Sequence, residues 1–141
     1  MPTISSLNFK IIFHLMGLLF AVNGGFMLMA TGVSYFYGDA VAFEMLLAAI
    51  VTLGIGGMTL LVTKNHRKEI QKREGYIIVT FGWICMSLAG TLPYLFTNAI
   101  PNFTDAFFET MSGYTTTGAT IMTDIEIMPR GVLFWRSITH W

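Results

Sequence analysis

The sequence predicts an all-α membrane protein. Three observations carry the prediction: 54% of its 141 residues are hydrophobic, only 11% are charged, and all the charges but Glu44 fall outside three long apolar runs. An ordinary soluble domain carries about 25% charged residues. Eight Lys/Arg and eight Asp/Glu are few to solvate a surface of this size, and the mean hydropathy is +0.63. Lipid covering most of that surface is the better account. The net charge of zero implies no strongly acidic or basic partner, and no nucleic acid is expected. The single cysteine, Cys85, excludes a disulfide framework and any Cys-based metal motif. It reads as a small helix-packing residue.

The first element runs from Ile11 to Tyr37, 27 residues without Asp, Glu, Lys or Arg. About 20 apolar residues suffice to span a bilayer, so the run crosses with some tilt. A cleavable leader with Lys10 as its basic region is the rival reading, but leader apolar regions are about 7–15 residues long and this one continues past Asn23. A retained helix is expected, with Asn23 hydrogen-bonding another helix. Tyr37-Gly38-Asp39 supplies a turn into a second span, about 41–62, with Glu44 near its start. Gly54, Gly56 and Gly57 are small residues that let neighbouring helices approach.

Residues 64–75, KNHRKEIQKREG, form the only water-like segment. They hold five of the eight basic residues: Lys64, Arg67, Lys68, Lys72 and Arg73. Short cytoplasmic loops are enriched in Lys and Arg, which puts this loop and the N-terminus in the cytoplasm. The same stretch could contact anionic lipids or a cytoplasmic partner. His66 reads as a solvated loop residue, and His14, His66 and His140 are too scattered for a zinc site. A third span follows at 76–96, interrupted near its end by Pro93.

After Pro101 the pattern changes. Thr104–Ser112 is nine residues, a helix near 14 Å at about 1.5 Å per residue, roughly half the hydrocarbon thickness. Asn102 or Thr104 can cap it, Asp105 suits its positive end, and Gly113 is expected to end it. Tyr114–Thr123, rich in β-branched residues, predicts extended chain, and a further apolar run starts after Met128-Pro129-Arg130. Irregular backbone at membrane depth is tolerated only when buried in protein or lining an aqueous cavity. An extended Thr115-Thr116-Thr117-Gly118-Ala119 can present a row of carbonyl oxygens to a dehydrated cation. Gly118 permits the backbone angles this needs. Two readings stand at this point: a pore loop, or a connector in a non-transporting membrane scaffold or assembly subunit.

Other chemistry is weaker. Asp105 and Glu109 share a helical face, but dipole matching explains them better than acid–base catalysis, and no enzyme is expected. With Asp124 and Glu126 they would line an outer vestibule that concentrates cations; some of the four could instead pair with Arg130 or Arg136. Gly113 to Gly118 has the GxxxxG spacing of a phosphate loop, but Ala119-Thr120 follows in place of Lys-Ser/Thr.

The stretch from DAFFETMSGYTTTGAT through LFWRSITHW resembles the Trk/Ktr/HKT superfamily of potassium transport proteins, in particular the bacterial TrkH/KtrB type. The resemblance implies a unit of helix, pore helix, filter and helix that occurs four times around one pore. Residues 1–70 would then hold two N-terminal transmembrane helices, and 71–141 the first of four repeats. That repeat would comprise a span at 76–96, a pore helix at 104–112, a filter at 115–119 and the start of a helix at 131–141. It also implies filter carbonyls from Thr115, Thr116, Thr117, Gly118 and Ala119, with K+ held at Thr116, Thr117 and Gly118. The resemblance implies K+ as the transported ion and no covalent cofactor. The implied partners are the lipid bilayer, the remaining three repeats, a cytoplasmic nucleotide-binding regulatory ring and, as one assembly, a homodimer. The location would be a bacterial inner membrane. The last helix is too short to cross, so the chain is expected to be a piece of a longer protein or a product that does not conduct unaided.

Overall fold

A computed structural model describes residues 8–65 and 72–140, and every element among them is helical. In order these are α1 (Phe9–Tyr37), α2 (Ala42–Val62), α3 (Lys72–Gly90), α4 (Leu92–Phe96), α5 (Phe103–Tyr114) and α6 (Arg130–Thr139). Among the described residues, three stretches are long and apolar enough to cross a membrane: Phe9–Tyr37, Ala42–Val62 and Lys72–Phe96. The expected contents of residues 66–71, including His66, Arg67 and Lys68, lie outside the described residues.

The third span departs from a single helix. It begins at Lys72 and breaks between Gly90 and Leu92, where Pro93, lacking an N–H, sits in the first turn of α4. Of the glycine trio in α2, only Gly56 lies in a helix contact: a Cβ there would meet the Ala21 nitrogen at 2.8 Å and the Gly17 oxygen at 3.0 Å. Gly54 and Gly57 have nothing within 4 Å, because steps of about 100° per residue turn them off that face.

α1 and α2 form an antiparallel pair joined by a left-handed Gly38 (φ 70°), whose N–H returns to the Tyr35 carbonyl. One end of the pair is basic and the other holds this turn. At the turn end, Met27, Ala30, Met45, Ala49, Tyr94, Ala106, Val132 and Trp135 pack into one core. α5 starts at that end, runs toward the middle of the bundle, and the chain returns irregularly to α6. Asp39 ties the return: its Oδ2 accepts from the Gly131 N–H at 2.8 Å and from the Ser34 hydroxyl at 3.1 Å. Asp39→Ala strands these donors and is expected to lose about 1–3 kcal/mol, read as a lower thermal midpoint in detergent; an unchanged midpoint would show the tie to be incidental.

Candidate functional site

The half-length helix α5 is built as its residues dictate, with two differences from expectation. Asn102 caps it, its Oδ1 accepting the Thr104 N–H at 3.1 Å, and Asp105 sits in the first turn. But the helix continues through Gly113 to Tyr114. Gly113 serves packing there rather than termination: a Cβ would meet the Thr139 Oγ1 of α6 at 2.6 Å. Tyr114 is anchored, its hydroxyl donating to Asn23 Oδ1 of α1 at 2.7 Å, while Asn23 donates to the Met86 carbonyl of α3 at 3.5 Å. Asn23 thus bridges helices as its place in an apolar run implies.

The helix ends in a paired-bond turn. The Thr116 N–H donates to the Gly113 carbonyl at 2.8 Å and the Thr117 N–H to Ser112 at 3.0 Å, the pattern of a left-handed helix terminus. Thr116 takes the left-handed position with φ 53°. So Thr115 and Thr116 are turn residues, not extended chain, because the α5 carbonyls still need partners. Gly118 is again left-handed, φ 75°, with Thr117 at negative φ between them.

Two of the three threonine hydroxyls in this stretch are used locally. Thr115 Oγ1 donates to the Met111 carbonyl at 2.8 Å and lies 2.8 Å from Thr117 Oγ1. Among the described residues, no hydrogen bond ends on the carbonyls of Thr115, Thr116, Thr117 or Gly118, and all four residues are exposed. Ala119 differs from its expected role. Its carbonyl accepts from the Ser112 hydroxyl at 2.6 Å and so turns back onto α5.

Behind the exposed oxygens is a brace. Glu109 Oε1 accepts from Arg136 Nε of α6 at 2.7 Å. The Thr120 hydroxyl lies 3.0 Å from both carboxylate oxygens, and the Ile121 N–H reaches Oε2 at 3.3 Å. The Glu109 side chain is 0% exposed and that of Arg136 19%. Glu109 therefore does not line a vestibule. One turn deeper than Asp105, it faces α6 and the returning chain, where a buried carboxylate requires a cation and donors. Asp105 is half-buried, and Asp124, Glu126 and Arg130 are exposed.

Ser112, Tyr114 and Thr120 make hydrogen bonds around this segment that sequence reasoning passed over. A hydroxyl shortly beyond Gly118, or one in the last turn of a helix, carries no periodic signal; only the fold shows which atom each reaches.

These features define a class: an all-helical membrane protein in which a half-length helix enters the bundle and the chain returns as a braced, irregular segment. The TrkH family, described as cation transport protein, matches residues 42–141, and the chain belongs to it. The Trk system potassium uptake protein TrkH of Escherichia coli K12 is 34% identical over 137 residues, covering 96% of this chain and 28% of that protein. TrkG of the same organism is 32% identical, covering 91% and 27%. The crystal structure of the potassium transporter TrkH from Vibrio parahaemolyticus superposes with a TM-score of 0.86 at 34% identity, over 94% of this chain and 29% of that one. The chain thus spans less than a third of the length of these relatives.

Proposed function

We propose that this chain supplies the first of four filter-bearing units of a Trk-type potassium uptake pore, and that backbone oxygens of Thr115, Thr116, Thr117 and Gly118 replace the ion's water shell, with K+ at Thr116, Thr117 and Gly118. The observation that carries the reading is four exposed residues whose carbonyls accept no hydrogen bond, on a segment whose backbone alternates in hand at Thr116, Thr117 and Gly118. In a regular strand successive groups point to opposite faces. Alternating left- and right-handed residues gather successive N–H groups on one concave side, which leaves the carbonyls toward the other. The negative end of α5 adjoins the same oxygens and favours a cation. Permeation past such oxygens is passive and involves no covalent chemistry.

In this reading three further repeats complete the ring, Asp105, Asp124 and Glu126 raise the local cation concentration at its outer mouth, and the N-terminus faces the cytoplasm of a bacterial inner membrane. A cytoplasmic nucleotide-binding regulatory ring and a homodimer belong to the same assembly.

Gly118→Ser in the complete protein tests the filter. A Cβ at Gly118 meets nothing within 4 Å, so the added side chain acts through the backbone. Left-handed backbone costs a non-glycine residue about 1–2 kcal/mol. Expression should stay intact while K+ uptake, or its ratio to Na+ uptake, changes in cells lacking other K+ uptake systems. An unchanged uptake profile would sink the assignment.

A further inference from the structure

A second site lies at the basic end of the α1–α2 pair, away from the filter segment. A cavity of about 370 Å³ opens there between the two helices. Its walls are Phe9 and Phe13 of α1 with Met58 and Val62 of α2, which are 62%, 56%, 74% and 84% exposed. Thr59 and Thr63 also line it, yet both hydroxyls donate to their own helix, to the Ile55 carbonyl at 2.7 Å and the Thr59 carbonyl at 2.6 Å. His14 Nδ1 lies 3.0 Å from Thr63 Oγ1 and links the two helices at this level. The groove wall is therefore apolar although two of its residues are not.

The rim is charged. Lys10 lines the groove and Lys64 follows Thr63 directly; both are exposed, and neither has an ion pair among the described residues. At the other end of the same helix pair the charges are Asp39 and Glu44. A larger cavity of about 980 Å³, between α1, α3 and α6, has no Lys, Arg, Asp or Glu in its lining. Of the two, the smaller groove joins an acyl-sized apolar slot to exposed cations.

We propose that this groove holds one anionic phospholipid, an acyl chain lying along Phe9, Phe13, Met58 and Val62 and the phosphodiester held by Lys10 and Lys64. Basic residues at the mouth of an interhelical slot are the chemistry that selects anionic headgroups. Apolar walls supply affinity without selecting a headgroup.

Native mass spectrometry of the whole purified protein, titrated with phosphatidylglycerol or phosphatidylcholine of the same chains, tests this. The parent should retain phosphatidylglycerol in preference. Lys10→Gln combined with Lys64→Gln should reduce that preference by roughly 30-fold, the factor for two lysines at about 1 kcal/mol each. Lys72→Gln with Arg73→Gln, two exposed cations at the start of α3, serves as the charge-matched control and should keep it. A parent without preference, a Lys10/Lys64 variant that keeps it, or a control that loses it equally would each overturn the site; the last would mean diffuse attraction only.

Discussion

A Glu109→Ala variant is expected to lose about 3–5 kcal/mol of stability, because removing one partner of a buried ion pair strands the other. The loss has two parts that can be separated. Arg136 keeps a charge in a mostly buried position, and Thr120 and Ile121 lose the acceptor that holds the returning chain. Glu109→Gln retains an oxygen for those donors and removes only the charge, so its loss should be smaller. Arg136→Ala added to Glu109→Ala should cost little more, since the pair is already broken. Thermal unfolding in detergent across this set checks the scheme. Additive losses would mean that Glu109 and Arg136 act independently, and the brace would be a coincidence of position. On the proposed reading, uptake by the complete protein should fall with Glu109→Ala, since this carboxylate holds Thr120 and Ile121, just beyond the segment from Thr115 to Gly118.

Gly90→Ala is the second large effect. A Cβ at Gly90 would sit 2.5 Å from Thr110 Cγ2 and 2.9 Å from the Tyr114 hydroxyl, both on α5. Overpacking of this kind costs about 1–3 kcal/mol. The break after Gly90 restricts escape, because its carbonyl accepts from the buried Trp135 Nε1 at 3.2 Å. The relief must come from α5, which would push Tyr114 and the turn beyond it. Thr110→Ser deletes the colliding methyl and keeps the hydroxyl that donates to the Ala106 carbonyl. The double variant should therefore recover most of the lost midpoint and uptake. Gly90→Ala alone at parental stability would show that α5 is not seated against α3 as described.

The spanning helices are legible in the sequence because lipid imposes a simple rule on length and polarity. Phe9–Tyr37 and Ala42–Val62 start and stop within two residues of the apolar runs that predict them. The half-length helix is legible for the same reason: Asn102 and Asp105 mark its start, and polar residues follow too soon for a span. Its end is not legible, since Gly113 serves a contact with Thr139 that only the fold creates. The brace is hidden more deeply. Glu109 lies 11 residues from Thr120 and 27 from Arg136, so no local pattern joins them. A carboxylate four residues after Asp105 reads as a second vestibule charge until α6 is seen beside it. From the residues alone the Ala119 carbonyl is free to face either way, and the Ser112 hydroxyl decides it.

Thr116 stands where helices of this termination commonly carry glycine. A side chain in that backbone region costs about 1–2 kcal/mol, and branching at Cβ adds crowding. Among the described residues the Thr116 hydroxyl makes no hydrogen bond that would compensate. The chain holds the turn here through the Ser112 and Gly113 carbonyls. What the threonine contributes is stiffness, since few rotamers fit and the backbone has little room to drift. The consequence is a stiff joint between α5 and the segment that follows it, where a glycine would give a loose one.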